Sequence, residues 1–250
     1  MKNKFCLFLC VFLSFTSATL NADVPEGKLD LYLLIGQSNM AGRAPYSDAE
    51  AQPIEGVYLL NDSDTWEPAT NPLNRYSTIR KEIGMQKMGP GYGFSLAMRQ
   101  ANPDQEIGLI VNAKGGSKIE QWAKGTEFYA EVIRRTKIAM QSGELKGILW
   151  HQGEANANDP KYLEKIHSLI ENLRTDLESP EVPFIAGQIN TSGDYLFNQL
   201  ILKLPELDPN TAVVSNQNLT AMDRWHFDHD SAIILGQRYS VKMLEFQKSK

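Results

Sequence analysis

The sequence predicts an α/β fold in which a parallel sheet is covered by helices on both faces. Two observations support this prediction. Short apolar runs of strand composition alternate along the chain with longer segments whose apolar residues recur at helical spacing. Clusters of glycine and polar residues directly follow four of the short runs, and in a parallel sheet such positions meet at one edge, where ligands bind.

Each predicted element follows from this alternation. The strands are Leu29–Ile35, Ile107–Val111, Gly147–Trp150, Pro183–Gly187 and Thr211–Val214, with Gly56–Leu60 as a sixth candidate. The helices are Tyr92–Gln100, Glu127–Gln141, Pro160–Leu177, Tyr195–Leu204 and Ser231–Phe246. The stretch Ala44–Met88 contains many Pro, Asn and Asp residues, and we expect irregular surface loops beside the site there.

Residues 1–22 have the features of a secretory signal peptide. Two lysines precede the apolar stretch Phe5–Phe15, which is too short to span a bilayer, and small residues follow it. Cys10 is preceded by Leu9 rather than by the small residue of a lipoprotein signal, so no lipid anchor is expected. We therefore predict a signal peptide followed by one domain at residues 23–250, in a secreted or periplasmic protein without membrane insertion.

The composition excludes several classes of function. Both cysteines lie in the predicted signal, which leaves no thiol for catalysis or for a metal site in the mature chain. Without the signal the chain carries 23 basic and 30 acidic residues, a net charge of −7. Nucleic acids and anionic membranes attract basic surfaces, so neither is an expected partner. The oligomeric state is left open.

The motif Gly36-Gln37-Ser38-Asn39-Met40 directly follows the first predicted strand. Many hydrolases present a nucleophilic serine in this way, because the glycine permits a tight turn at the carboxyl edge of the sheet. Near the other end of the chain, Asp223-Arg224-Trp225-His226 supplies an acid and a base three residues apart. A serine followed much later by Asp and His is one chain order of a serine triad. Together the motifs predict a serine esterase.

His226 is the best candidate base, because a serine hydroxyl needs a base within hydrogen-bond reach. Asp223 is the preferred orienting acid, and Asp228 is a rival that the sequence leaves open. His167 lies inside a predicted helix and is interpreted as a surface or packing residue. His151 is either a pocket residue or a packed neighbour of the preceding tryptophan.

The cluster His226, Asp228, His229 and Asp230 consists of residue types that also bind zinc. It lacks the helical His-x-x-x-His spacing, and no distant ligand pair is evident in the sequence. We therefore expect neither a metal nor a cofactor. Asp230 is better interpreted as a residue that helps to start the last helix.

Acyl transfer also needs hydrogen-bond donors for the developing oxyanion. The candidates are the backbone N–H groups of Ser38 and Gly116 and the side-chain amide of Gln152. Asn39 and Glu154 are predicted to support the site or to contact the substrate, and for Glu154 we favour a structural role. Trp122 and Trp225 flank two of the motifs and are candidates for stacking on a sugar ring.

Together these residues resemble the SGNH-type carbohydrate acetylesterases, and more narrowly the branch that holds sialate O-acetylesterase-like proteins and the family 6 acetylxylan esterases. The resemblance spans about residues 29–245. The blocks that carry it are Gly36-Gln37-Ser38-Asn39-Met40-Ala41-Gly42, Lys114-Gly115-Gly116-Ser117, Trp150-His151-Gln152-Gly153-Glu154 and Asp223-x-x-His226-Phe227. One departure from the wider pattern is glutamine at position 152, where many relatives carry asparagine.

The resemblance implies a three-layer α/β/α, flavodoxin-like fold with a five-stranded parallel sheet. It implies that Ser38 is the nucleophile, His226 the general base and Asp223 its partner, with Ser38, Gly116 and Gln152 forming the oxyanion hole. The implied reaction removes acetyl groups from a glycan through an acetyl-serine intermediate, without a cofactor.

The substrate stays open between acetylated polysaccharide such as xylan and O-acetylated sialic acid. An anionic sugar needs a basic pocket, to which Arg43, Arg75, Arg80 and Lys114 are candidate contributors. Alternative interpretations are an inactive glycan-binding protein of the same fold and a broad small-acyl esterase.

Overall fold

A seven-stranded sheet forms the centre of the computed structural model, which describes residues 29–190 and 195–248. The strands are β1 (Leu29–Gly36), β2 (Val57–Leu60), β3 (Trp66–Pro68), β4 (Ile107–Ala113), β5 (Gly143–His151), β6 (Phe184–Gly187) and β7 (Thr211–Val214). Their order across the sheet is β3-β2-β4-β1-β5-β6-β7. All neighbouring strands are parallel except β3, which is antiparallel to β2.

Helices cover both faces of this sheet. They are α1 (Ser38–Ala41), α2 (Pro90–Ala101), α3 (Glu127–Ala139), α4 (Tyr162–Asp176), α5 (Leu196–Ile201), α6 (Leu204–Leu207) and α7 (His229–Lys248). Short 3₁₀ turns lie at Leu73–Tyr76, Ile83–Met85, Ile119–Trp122 and Glu154–Asn156. Among the described helices, none is long and apolar enough to cross a membrane.

The alternation of side chains along β1 divides the apolar core in two. Leu31 and Leu33 point to the face covered by α3, α4, α5 and α6, whereas Tyr32 and Leu34 point to the face covered by α2 and α7. Both sets are almost fully buried. The central strand is therefore apolar on both faces, as expected for a parallel sheet between two helical layers.

The predicted three-layer α/β fold is confirmed, but the predicted count of five strands is wrong. The candidate at Gly56–Leu60 forms β2, and the stretch predicted to be irregular contains β3. β3 has three residues, too few to show an alternating pattern. Its pairing with β2 depends on the Asn61 side chain, whose Oδ1 accepts from the N–H groups of Ser63 and Thr65, each at 3.0 Å.

The predicted helix Tyr195–Leu204 is divided into α5 and α6. Pro205 lies in the first turn of α6 and has no backbone N–H to continue a helix from α5. The other predicted helices lie within three residues of the observed bounds. The predicted signal peptide at residues 1–22 lies outside the described residues.

The parallel strands place four loops at one edge of the sheet. These loops follow β1, β4, β5 and β7, and they carry Ser38, Gly116, Gln152 and the Asp223–His226 segment respectively. β1 lies between β4 and β5. The serine is thus at the middle of the sheet edge, where the other loops can reach it.

Candidate active site

Ser38, His226 and Asp223 form one hydrogen-bonded chain. The His226 Nε2 atom lies 3.0 Å from the Ser38 Oγ atom, and its Nδ1 atom lies 2.8 Å from Asp223 Oδ2. The other carboxylate oxygen of Asp223 accepts from the backbone N–H groups of Trp225 and His226, at 2.8 and 2.9 Å. The structure brings together the three residues that the sequence analysis predicted as a triad, in the arrangement that activates a serine.

The acid that orients His226 in the structure is Asp223 and not Asp228. Burial acts against ionisation of Asp223, yet hydrogen bonds from His226 and from two backbone N–H groups hold its pKa below the ordinary value. Asp228 instead accepts from the Ser231 N–H at 2.9 Å and from the Thr220 hydroxyl. It stabilises the first turn of α7.

The turn that carries Ser38 is fixed by close backbone packing. Gly36 has a φ of 135°, and a Cβ atom at this position would lie 2.2 Å from the carbonyl oxygen of His151. The next residue, Gln37, is buried, and its Oε1 accepts from the Ala155 N–H at 3.2 Å. The loop after β5 therefore holds the serine turn through both backbone and side chain.

Asn39 connects this turn to the backbone on both sides of His226. Its Oδ1 accepts from the Phe227 N–H at 3.2 Å, and its Nδ2 donates to the Trp225 carbonyl at 2.9 Å. The same Nδ2 donates to Glu154 Oε1 at 2.5 Å. Because the Phe227 N–H requires an acceptor, the orientation of the Asn39 amide is determined. The predicted supporting role of Asn39 and Glu154 thus corresponds to an Asn39–Glu154 pair that holds the His226 peptide.

Glu154 and His151 are buried titratable groups behind this pair. Burial raises the pKa of Glu154 to about 7, partly offset by hydrogen bonds from its own and the Gly153 backbone and from Asn39. Burial lowers the pKa of His151 to about 3, so the imidazole is neutral. The Tyr239 hydroxyl donates to the Trp150 carbonyl at 2.7 Å and lies 3.1 Å from His151 Nδ1, from which its oxygen can accept. His151 is therefore a packed neighbour rather than a pocket residue.

Two of the three predicted oxyanion donors are available. The backbone N–H groups of Ser38 and Gly116 have no acceptor within the described part of the chain, and both residues line the same cleft. Gly116 has a φ of 74°, a conformation that favours glycine and presents this turn to the cleft. These N–H groups are the donor type that stabilises acyl-transfer oxyanions.

Gln152 does not occupy the position predicted for it. The side chain is fully buried, and its Nε2 lies 2.9 Å from Asn156 Oδ1 and 3.1 Å from both Gln37 Oε1 and the Ser117 carbonyl. Its Oε1 accepts from the Tyr162 hydroxyl at 2.6 Å. An amide nitrogen has two hydrogens, and these acceptors use both of them. The structure thus gives Gln152 a role in holding neighbouring loops, in place of the predicted oxyanion contact.

The cleft in front of Ser38 has a volume of about 350 Å³. It is lined by Gln37, Ser38, Arg43, Lys81, Met85, Gly115, Gly116, Glu154, Ala155, Trp225 and His226. This size and its open, partly polar wall suit a small acyl group and part of a larger polar substrate.

Residues 28–245 match the sequence profile of the family described as carbohydrate esterase, sialic acid-specific acetylesterase. The chain belongs to this carbohydrate esterase family. It is a carboxylic ester hydrolase, and the predicted resemblance to SGNH-type carbohydrate acetylesterases is confirmed.

Known proteins similar to this carbohydrate esterase agree with that assignment. A probable carbohydrate esterase of Arabidopsis thaliana is 32% identical over 232 residues, which cover 82% of this chain and 86% of the relative. The solved structure of this Arabidopsis protein has a TM-score of 0.76 at 26% identity, over 86% of this chain and 98% of that one.

Two more distant solved structures share the fold. NanS has a TM-score of 0.71 at 16% identity, over 91% of this chain and 100% of that chain. A carbohydrate acetylesterase from Xanthomonas citri has a TM-score of 0.67 at 22% identity, over 88% of this chain and 57% of that chain.

The two tryptophans predicted as sugar contacts differ in this esterase. Trp122 is 1% exposed and packs edge-on against Trp150, so it cannot reach a sugar in the cleft. Its indole N–H donates to the Ser117 hydroxyl at 3.0 Å, which supports the loop beside Gly116. Trp225 lines the cleft and stacks on Tyr195 with ring centroids 5.4 Å apart. Only Trp225 keeps the predicted position for a substrate contact.

The basic residues predicted near the esterase cleft also separate. Arg43 lines the cleft, whereas Arg75 pairs with Glu67 at 2.5 Å. The Arg80 Nε atom donates to the Arg75 carbonyl at 2.6 Å, and the Lys114 ammonium lies 6.0 Å from the centre of the Phe128 ring.

Lys81 lines the cleft and was not predicted from the sequence. It lies in the loop region between β3 and α2, where neither periodicity nor a motif marks individual residues.

The residues considered as a metal cluster serve other contacts. His229 lies 2.7 Å from Glu50 Oε1 and 2.6 Å from Asp230 Oδ1, on the far side of its backbone from the His226 contacts described above. Within residues 29–190 and 195–248, no group of three or more His, Cys, Asp or Glu residues is arranged to hold a metal ion. His167 lies on α4, 3.7 Å from Glu171, consistent with a surface residue.

Proposed function

We propose that this esterase removes O-acetyl groups from carbohydrates through an acetyl-Ser38 intermediate. The observation that carries the proposal is the hydrogen-bonded chain from Ser38 through His226 to Asp223, which opens into a cleft of about 350 Å³. The family assignment supports a carbohydrate ester as the substrate. The Xanthomonas citri structure of the same fold is that of a carbohydrate acetylesterase.

The reaction begins when His226 Nε2 takes the proton of Ser38 Oγ as this oxygen attacks the acetyl carbon. The backbone N–H groups of Ser38 and Gly116 stabilise the tetrahedral oxyanion. Asp223 keeps the Nδ1 proton of His226 in place and stabilises the imidazolium. The intermediate collapses, the bond to the sugar oxygen breaks, and the imidazolium donates its proton to that oxygen.

The second half of the reaction releases acetate. A water molecule gives a proton to His226 Nε2 and attacks the acetyl carbon of acetyl-Ser38. Collapse of the second tetrahedral intermediate breaks the bond to Ser38 Oγ, which regains its proton from His226. No step requires a group beyond these side chains and water.

The proposal includes export from the cell. The charge and length pattern of residues 1–22 is that of a signal peptide, and one esterase domain at 23–250 would then act outside the cytoplasm on acetylated glycans. Both acetylated xylan and O-acetylated sialic acid remain candidate substrates.

The test is acetate release from acetylated xylan, from O-acetylated sialic acid and from a small aryl acetate, with the Ser38→Ala variant as control. We expect Ser38-dependent release from at least one glycan, and the preferred glycan identifies the substrate class. Release that persists in Ser38→Ala would contradict the mechanism. Hydrolysis of the aryl acetate alone would favour a broad small-acyl esterase. A folded protein that acts on none of the three would be an inactive glycan-binding member of the family.

A further inference from the structure

The oxyanion site has one fewer neutral donor than predicted and an unpredicted cation beside it. Gln152 is engaged elsewhere, whereas Lys81 lies on the cleft wall next to the Gly115-Gly116 turn. We propose that the Lys81 ammonium stabilises the oxyanion of the acetyl group together with the backbone N–H groups of Ser38 and Gly116. This inference rests on the proposed esterase function, and it adds a catalytic residue to it.

The Lys81 side chain runs along the turn that carries the Gly116 N–H. A Cβ atom placed on Gly115 would lie 3.7 Å from Lys81 Cδ, and a Cβ atom placed on Gly116 would lie 3.6 Å from Lys81 Nζ. The methylene stem therefore covers the first glycine, and the ammonium reaches the second. This brings the positive charge next to the peptide whose N–H is an oxyanion donor.

Buried amide side chains anchor the Lys81 backbone to the strand that precedes this turn. The Lys81 carbonyl accepts from Gln86 Nε2 at 3.3 Å, and Gln86 Oε1 accepts from Asn74 Nδ2 at 2.8 Å. Asn74 in turn bonds to both the N–H and the carbonyl of Ala113, at 2.9 and 3.1 Å. Gln86 and Asn74 are 5% and 1% exposed. The backbone that carries Lys81 is thus held to the end of β4, directly before Gly115-Gly116.

The charge of Lys81 is uncompensated in the resting site. No carboxylate pairs with Lys81 within the described part of the chain, and Glu154, the acid that lines the cleft, accepts from Asn39. Arg43 is engaged differently, because its Nη1 donates to the carbonyls of Gly42 and Met85 at 2.5 and 3.0 Å. The ammonium is therefore available to an anion that appears in the cleft.

The oxyanion is such an anion, and it exists only during the reaction. The acetyl ester is neutral when it binds, so a cation beside the carbonyl oxygen acts mainly on the transition state. Removing this charge should lower kcat and leave KM almost unchanged. A contact with a carboxylate on the sugar would instead affect only acidic substrates, which gives the two roles different signatures.

The experiment compares Lys81→Met, Lys81→Arg and Lys87→Met on a neutral aryl acetate. Lys87 is an exposed lysine of the same loop region that does not line the cleft, so its replacement removes an equal charge. We expect kcat to fall by about 100-fold in Lys81→Met, with partial recovery in Lys81→Arg. Lys87→Met should stay within about twofold of the parent. Thermal unfolding of the variants checks that each is folded.

A second measurement uses phenylboronic acid, which forms an anionic tetrahedral adduct on a nucleophilic serine. Its affinity should fall in Lys81→Met by about the same factor as kcat, because both report on the oxyanion position. The inference is overturned if kcat on the neutral acetate stays within about twofold of the parent. A Lys81→Met defect restricted to O-acetylated sialic acid would overturn it too and assign the residue to a substrate carboxylate. Absence of Ser38-dependent hydrolysis by the parent enzyme would instead reject the proposed function itself.

Discussion

The two halves of the active site are held in different ways. The serine half, formed by the turns after β1 and β5, is buried and connected by many polar contacts, and Gln152 is fully enclosed. The histidine half is the loop after β7, where the Asp223 side chain is 53% exposed. Asn39 and Asn190 tie this loop to the body, the latter by donating to the Arg224 carbonyl at 2.8 Å. The serine half should therefore respond to substitution through stability, and the histidine half through rate.

The largest expected effect is on the rate, from Asp223→Asn in the exposed half. Two backbone N–H groups donate to Asp223 Oδ1, so an asparagine would place its oxygen there and turn its NH₂ group toward His226 Nδ1. That donor would force the tautomer with a protonated Nε2, which cannot accept the Ser38 proton. We expect kcat to fall about 10³-fold, or about 4 kcal/mol, with little change in thermal stability.

The control for this variant is Asp228→Asn, which changes the neighbouring acid that caps α7. Its kcat on an aryl acetate should remain close to that of the parent. Equal losses of kcat in the two variants would show that the loop as a whole, rather than the tautomer of His226, determines the rate.

The next effect is on stability and comes from the buried half. Gln152→Leu would leave the Ser117 carbonyl and the Tyr162 hydroxyl without the amide that they contact. Unpaired buried polar groups are costly, and we expect the free energy of unfolding to fall by about 3 kcal/mol in urea titrations. Gln100→Leu, at an exposed position on α2, is the matched control. If Gln152 were an oxyanion donor, its replacement would reduce kcat about 100-fold at nearly unchanged stability.

The pH dependence of stability provides a third test of the buried half. The pKa of Glu154 is about 7 in the folded protein, above its ordinary value of 4.5, so the folded state holds a proton that the unfolded state has lost. The contribution to stability is complete below about pH 4.5 and is lost as pH rises through 7. Between pH 5 and 6.5 it amounts to about 2 kcal/mol. Glu154→Gln keeps the acceptor for Asn39, and the difference between parent and variant unfolding free energies should change by this amount. An unchanged difference would contradict the assignment.

The sequence predicted the parts of the site that depend on local motifs. A strand followed by Gly-x-Ser and an Asp-x-x-His loop are visible in neighbouring residues, and the structure places Ser38, Asp223 and His226 together. The alternation of strands and helices predicted the layers in the same way.

The parts that the sequence did not predict depend on distant contacts. Gln152 has the residue type of an oxyanion donor, but its partners Gln37 and Ser117 are 115 and 35 residues away, and they decide where its amide points. Trp122 is similar, because packing against Trp150 buries it. Lys81 reaches the cleft through amide contacts to β4 from a loop without periodicity. Residue type therefore indicated chemistry, whereas the geometry of folding determined which atoms were free to perform it.

The smallest expected effect concerns Asn39, the residue that connects the two halves. Asn39→Ala removes the acceptor for the Phe227 N–H and the donor to the Trp225 carbonyl, which hold the peptides on either side of His226. The His226–Asp223 contact remains, so His226 should spend only part of its time within reach of Ser38. We expect kcat to fall about tenfold, or about 1.4 kcal/mol, at nearly constant KM.

Asn172→Ala, at an exposed site on α4, is the matched control for Asn39→Ala and should leave kcat unchanged. The ratio of kcat values for Asn39→Ala and the parent should be the same for a neutral aryl acetate and for an acetylated glycan, because the defect lies in the enzyme and not in substrate contacts. A deficit seen only with the glycan would place Asn39 in substrate binding. A loss of kcat as large as that of Asp223→Asn would mean that the histidine loop has no other support, and the two halves would then be equally dependent on buried contacts.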